Sequence, residues 1–334
     1  MANITFSEAS GVNDSIFGKS QAPIRMFIEK RGEAFEQQSV VKVLFNQEKS
    51  THFGEKFTSL TAMEGFQVTG ENGAYPADGQ EEGYSKIMEA VEWKDSFSIS
   101  KKIIEDAQLM DLRKKPLAFV TAYYRTRERF GAALLGNALQ GNTSVKFGGG
   151  TFDLKASDKQ ALFSASHPSK VKGGNQSNVF SDAFSDDALG KLETQMQNTK
   201  GDNGDILDVA PDTIVIPNIH ALKKAVFAAI GADKDPETAN NGYNYQFGRW
   251  NVVVWNYLNQ FIGSLGAPWL LMDSKYNKEY GTLVWLDRVA LEVSSKIDDN
   301  TDANVWRGRA RFTAGFHDWR GIAAAGISGA SALA

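Results

Sequence analysis

Hydrophobic positions recur along this chain with two different periods. From Pro23 to Gln38, Ile24, Ile28 and Phe35 fall on related faces, which predicts a short helix. "VVKVLFN" (40–46) predicts a strand. Two long extended stretches follow, 56–70 and 85–100. In the second, Val91, Trp93, Phe97 and Ile99 alternate with Glu92, Lys94, Ser96 and Ser98, the pattern of a half-buried strand. Between the stretches lies "ENGAYPADGQEEGY" (71–84), whose Gly, Pro, Asn and Asp residues predict the tip of a hairpin. An arm of about fourteen residues at ~3.3 Å each reaches roughly 45 Å, whereas a compact chain of this size has a radius of gyration near ~20 Å. A two-stranded ribbon is marginal alone in water. This one needs a surface beyond its own globule.

The period then changes. Residues 100–115 lead into 116–141, a helix with Pro116 in its first turn and Gly141 at its stop. Steps of ~100° put Val120, Tyr123, Tyr124, Leu134 and Ala138 on one stripe. Arg127 falls inside that stripe and must be paired or snorkel, while Arg125 and Arg129 point away. The piece after Pro116 is ~38 Å long at ~1.5 Å per residue. Residues 142–180 are loop-rich. Beyond them Ser185 caps a helix with Leu189, Leu192 and Met196 inward. "DTIVIP" (212–217) is a strand ended by proline. A helix over 218–230 follows, with Asn218 as cap and Ile219, Leu222, Val226 and Ile230 inward. Residues 250–258 and 267–273 predict buried strands. The last hairpin joins 289–298, with Val289, Leu291, Val293 and Ile297 on one face, to 305–316 through a turn at 299–304. In the returning strand Trp306, Ala310, Phe312, Ala314 and Phe316 share one face, and Arg307, Arg309 and Arg311 the other.

Composition narrows the class. With 334 residues, 42% hydrophobic and 23% charged, the chain is an ordinary globular protein long enough for two sub-domains. A net charge of −4 opposes a bulk-charge grip on nucleic-acid phosphates, though loose contact with DNA remains compatible with it. The absence of cysteine removes disulfides, thiolate nucleophiles and cysteine-held zinc, and fits a reducing cytosol. The opening residues lack the basic and apolar regions of a secretion signal. No apolar run nears the ~20 residues that span a bilayer, so neither export nor a membrane partner is expected. Residues 1–20 are polar and form an arm without a core of its own.

Chemical motifs are sparse. Gly18-Lys19-Ser20 resembles the end of a phosphate loop, but Gly11 and Gly18 enclose six residues where that loop needs four, so the segment is a polar arm. Asp298, Asn300 and Asp302 have the spacing of calcium ligands. Ala303 stands where the loop needs glycine and Arg309 where it needs glutamate, so this is a solvated turn. His52, His167, His220 and His317 lie far apart, with no zinc spacing. Ser166-His167 and His317-Asp318 are adjacent pairs, and adjacency along a strand is poor geometry for a relay. No Gly-x-Ser-x-Gly elbow is present. A hydrolase using His317 or His167 is therefore the weaker reading. Arg307, Arg309 and Arg311 form either a solvated strand face or a row that meets phosphate or a neighbouring subunit's carboxylates, and Glu71, Asp78, Glu81 and Glu82 at the hairpin tip supply such a carboxylate set.

Several stretches together resemble the major capsid proteins of tailed bacteriophages, of the Mu-like head-subunit kind with the Hong Kong phage-type fold. They are "ALFSASHPSK" with "GGNQSNVF" (161–180), "DILDVAPDTIVIPNIHALKKAVFAAI" (205–230) and "GFHDWRGIAAAG" (315–326). The order of arm, long hairpin, spine helix, inner domain and returning strands also matches. The resemblance implies an α+β fold with an N-terminal arm (1–45) and an extended-loop hairpin (54–97). It implies a peripheral domain (46–53 and 98–180, with the spine helix at about 116–141), an axial domain (181–283), and returning strands with a tail (284–334). It implies a non-enzymatic subunit without cofactors, assembled in the host cytoplasm as hexamers and pentamers into an icosahedral shell around double-stranded DNA. A separate scaffolding protein, a portal and a decoration protein are the further partners it suggests. Candidate assembly contacts are Arg307, Arg309, Arg311, Arg125, Arg129, Glu71, Tyr75, Asp78, Glu81, Glu82, Trp93 and Trp319. In this setting His317-Asp318 is a strand-terminal contact and Trp319 a packing anchor. Some relatives crosslink a lysine to an asparagine; Lys86 lies in the hairpin, but no motif here supports that chemistry. An encapsulin-like shell around a cargo enzyme is the nearest rival, and a tail or baseplate protein a further one.

Overall fold

The computed structural model describes residues 4–7, 26, 28–60, 66, 68–71, 73–75, 82–105, 109–172, 174–231 and 244–333. The described helices are α1 (28–37), α2 (Val40–Leu44), α3 (Lys101–Glu105), α4 (Leu109–Leu139), α5 (Asp186–Gln197), α6 (His220–Ile230) and α7 (Ser274–Tyr280). The strands begin with β1 (Ile4–Ser7), β2 (Asn46–Lys49), β3 (Gly54–Leu60), β4 (Glu82–Glu89), β5 (Val91–Ile99), β6 (Ser144–Phe147) and β7 (Gly150–Asp153). They continue with β8 (His167–Pro168), β9 (Asn175–Gln176), β10 (Thr213–Pro217), β11 (Asn251–Trp255), β12 (Trp269–Met272), β13 (Leu283–Asp298), β14 (Ala303–Phe316) and β15 (Ile322–Ala325). The chain forms two units. One comprises Met1–Glu55, Met88–Gly131 and Trp285–Ala314, the other Lys56–Ile87, Ala132–Val284 and Gly315–Ala334.

The first unit is a five-stranded sheet in the order β1-β13-β14-β5, with β2 also on β13. β1 adds to it in parallel, Ile4 opposite Leu291, so part of the expected coreless arm is a sheet strand. The alternation in β5 and β14 explains their antiparallel register: Phe97 stands opposite Trp306 and Trp93 opposite Ala310, all on the inner face. That face packs on α4. Ile99, Leu291, Val293 and Trp306 meet Phe119, Val120 and Tyr124 of the helix, with Ile28 of α1 closing the core. Gly308 allows the close approach, because a Cβ there would lie 2.3 Å from the Phe119 ring.

Three expectations change in this unit. Residues 40–44 are helical, not a strand. Ser39 caps the turn by accepting from the Lys42 N–H, and Val41 and Leu44, one turn apart, are both buried, so the cap and the core outweigh the β-branched run. The extended stretch 85–100 is two strands broken at Ala90, and its alternating half lies in the central sheet on β14 rather than in a free ribbon. Pro116 lies inside α4, whose described start is Leu109. Its missing N–H costs about 3 kcal/mol in a helix interior, which the packed stripe from Phe119 onward offsets.

The second unit centres on a sheet in the order β11-β10-β12-β15. β10 pairs in parallel with β11 and antiparallel with β12. One face carries Ile214, Ile216, Trp269, Leu271, Ala323 and Ala325 against Leu189, Leu192 and Met196 of α5 and Leu222 and Val226 of α6. Ser185 caps α5 as expected, accepting from the Ala188 N–H. Asn218 does not cap α6. Ile219 holds that position without a side-chain bond, while the Asn218 backbone is bound by Asn259. The loop-rich stretch 142–180 contains two short hairpins, β6–β7 and β8–β9. β3 and β4 form their own two-stranded sheet. Beyond it Phe66, Val68 and Tyr75 are fully exposed.

Candidate assembly face and buried histidine cluster

The arginine row projects from β14 because inward Trp306, Ala310 and Phe312 force the intervening side chains to the other face. Arg307 is exposed, and Arg311 is partly buried, reaching the Ala90 carbonyl at 3.5 Å. Arg309 is already neutralised within its own chain. Its guanidinium bonds Glu92 of β5 and, at 3.4 Å, Glu292 of β13. Glu92 also takes Lys94 at 2.8 Å. The bonds from Lys94 and Arg309 hold the Glu92 carboxyl down to about 2. The expectation of three arginines open to a partner is thus corrected to two, since charge-assisted bonds form wherever a carboxylate stands opposite.

The other candidates separate by burial. Arg125 and Arg129 are exposed on α4, and Glu71, Tyr75 and Glu82 are exposed along the hairpin. Asp78 and Glu81 lie outside the described residues. Trp93 is partly buried on the inner face of β5. It stacks on Phe312 with ring centroids 5.0 Å apart and donates from Nε1 to the Phe312 carbonyl at 3.1 Å. Trp319 is 5% exposed. Trp319 is therefore spent on the interior of its own unit, while Trp93 keeps part of its surface exposed. Arg127, the arginine inside the helical stripe, is paired as expected. It makes a two-pronged bond to Asp287 at 2.8 and 2.9 Å and lies 4.7 Å above the Trp285 ring.

His167 and His317 sit in a buried polar cluster of the second unit, whereas His52 and His220 are exposed. His167 is fully buried. Nδ1 is 2.6 Å from Asp158 Oδ2, and Nε2 is 3.1 Å from Asn178 Oδ1. Asn178 is oriented by donating to the Leu162 and Ile322 carbonyls, so its oxygen is the atom facing the ring. Trp319 covers His167 face to face. His317 bonds Ser157 through Nδ1, and its backbone carbonyl accepts the Ser157 N–H and hydroxyl, both at 2.9 Å. Asp318 turns away from His317. It accepts from Tyr276 at 2.9 Å and from Arg320 at 3.2 Å, and Arg320 also binds Asp202 at 2.9 Å. Serine, histidine and carboxylate therefore never line up as one relay. Ser157 is 7% exposed, and its hydroxyl proton is engaged by a carbonyl. Among the described residues no group of three or more acidic or histidine side chains is placed to hold a metal ion. No described helix is long and apolar enough to cross a membrane. Sequence reasoning missed Ser157, Asp158, Asn178 and Asp202. Their partners lie as far as 160 residues away, and no local motif marks them.

A family model described as "Phage capsid protein" matches residues 83–325. Among solved structures, one from Mycobacterium phage Patience covers 100% of this chain and 95% of its own, at 12% identity and a TM-score of 0.51. The capsid of Ralstonia phage GP4 covers 86% of this chain and 90% of its own, at 13% identity and a TM-score of 0.51. The capsid structure of Cyanophage P-SCSP1u covers 86% and 87%, at 9% identity and a TM-score of 0.51. At these identities the likeness is one of fold. Among curated proteins none matches.

Proposed function

This chain belongs to the phage capsid protein family, and from that premise we propose that it is a tailed phage's major head subunit, closing as hexamers and pentamers into an icosahedral shell around double-stranded DNA. The observation that carries the reading is the hairpin. Its root is a short sheet, while Phe66, Val68 and Tyr75 stand fully in water. Large apolar side chains so exposed mark an association surface, and many modest contacts repeated through a closed symmetric assembly give collective stability.

Charge suggests where the tip goes. Residues 61–84 carry Glu64, Glu71, Asp78, Glu81 and Glu82 and no lysine or arginine. Arg307 and Arg311 of another copy are the matching cations, with Arg125 and Arg129 as further contacts. In this reading the hairpin is an extended loop, the first unit corresponds to a peripheral domain and the core of the second to an axial domain. The subunit is structural and without cofactor, assembled in the host cytoplasm. A scaffolding protein, a portal and a decoration protein are its further partners, and its contact with packaged DNA is non-specific. The phage-capsid match favours this shell over one enclosing a cargo enzyme, and the burial of His167 and His317 counts against a hydrolase that would use either.

Negative-stain microscopy of the purified chain, alone and with its genomic neighbours, tests the proposal. Closed shells are expected. Tubes or rings would point to a tail protein, and a monodisperse single subunit with a rigid, protected hairpin would overturn the reading.

A further inference from the structure

His317 joins the closing segment of the second unit to the root of the hairpin. Its ring lies 5.9 Å from the Phe57 ring of β3, at the root of the hairpin. The rest of that root is tied down through β4. Lys86 reaches the Lys155 carbonyl and, at 3.2 Å, the Asp153 carboxylate, while Lys170 binds the Glu82 carbonyl and, at 3.1 Å, that of Gly83. Ser59 links the two strands by donating to the Tyr84 carbonyl at 3.1 Å.

The proton on the ring can be placed by counting donors. A serine hydroxyl has one proton, and that of Ser157 goes to the His317 carbonyl. Ser157 Oγ must then accept from Nδ1, which leaves Nε2 as the position for a second proton. The ring is 5% exposed as a residue, so a second proton creates a charge with little water around it. The charges acting on it offset that cost only in part. Asp318, on its own segment, is engaged by Tyr276 and Arg320. Lys86 of β4 is a like charge. Asp153 and Lys155 hold Lys86, and Asp158, beside Ser157, is occupied by His167. β3 contributes only the uncharged Phe57 ring.

We propose that His317 is an acid-operated latch on the hairpin root: proton uptake at Nε2 parts the ring from Phe57 and loosens β3 and β4, so that the root opens more readily at low pH. The direction follows from linkage. Burial holds the docked ring below its ordinary 6.5; Asp318 pulls the other way, and Lys86 adds a smaller push in the same direction as burial. The released ring therefore binds a proton more readily than the docked one. Docking is fully favoured above about pH 6.5 and weakens as pH falls towards the docked value, with the opening constant rising up to about tenfold per pH unit between the two. The inference concerns the single chain and stands apart from shell formation.

Hydrogen exchange of the full chain, expressed as protection factors for 54–60 and 82–87 between pH 7.5 and 4.5, reads the latch. In the unsubstituted protein protection should fall by up to about tenfold per pH unit below about 6.5. In His317→Asn, whose amide replaces the Nδ1 donor and does not titrate, it should stay flat. Equal pH dependence in both proteins, or none in either, overturns the proposal. Should His317→Asn fail to fold, nitrogen-detected NMR of the unsubstituted chain decides instead. Protonation at Nε2 must coincide with loss of the His317–Phe57 contact, and a proton taken up with the contact intact defeats the latch.

Discussion

Trp319 lies flat against His167, with ring centroids 4.2 Å apart and planes 11° from parallel. The tryptophan shields an imidazole whose two nitrogens are both spent on Asp158 and Asn178. Removing it would leave a cavity beside a buried polar pair. Trp319→Ala is expected to destabilise the second unit by about 3–5 kcal/mol, measured by urea denaturation. A loss below about 1 kcal/mol would mean that the stack is incidental.

Arg127 and Asp287 are 160 residues apart and joined by two parallel bonds. Truncating the arginine strands a partly buried carboxylate, so Arg127→Ala should cost about 3 kcal/mol. Arg127→Lys should recover only part of that, because an ammonium keeps the charge but not the fork. Chemical denaturation of the three proteins orders them, and equal stability of the lysine and arginine forms would contradict the geometry.

Gly308 faces the Phe119 ring at a distance no real Cβ tolerates. Gly308→Ala is expected to cost about 1–3 kcal/mol through overpacking. The companion change Phe119→Leu should recover part of the loss in a double-mutant cycle. Strict additivity would show that the two sites do not touch.

Glu92 should titrate with a midpoint of about 2 in the folded chain, against an ordinary 4.5. Because the folded value is the lower one, the bonds to Lys94 and Arg309 are present above pH 4.5 and fade as pH falls through about 2. Carbon-detected NMR of the side-chain carboxyl follows this directly. Arg309→Gln should move the midpoint upward, and an unmoved midpoint would remove the arginine from the account.

The elements legible in the sequence are those whose pattern is repeated within the element itself. Alternation in Val91–Ile99 and Val305–Phe316, and the helical stripe with its Ser185 cap, depend only on backbone periods, so inner and outer faces could be assigned before any contact was known. The same reasoning placed Arg127 in a stripe and required a partner for it. It went astray where a local preference was overruled by packing: the β-branched run at 40–44 became a capped helical turn, and Pro116 was carried inside α4. The ribbon was shorter than the alternation suggested, because alternation marks a strand without naming its neighbour, and β5 found β14.

From sequence alone came the α+β plan, the inward and outward sides of the returning strands, and the uniformly acidic hairpin tip. Only the tertiary structure decided that Arg309 is spent on Glu92 and Glu292, that Trp319 is interior, and that His167 and His317 have separate partners. Periodicity is a property of neighbours along the backbone, whereas hydrogen-bond and ion-pair partners are chosen by proximity in space. Those partners come from distant segments, as Trp93 and Phe312 do across 219 residues, and no spacing along the chain encodes them.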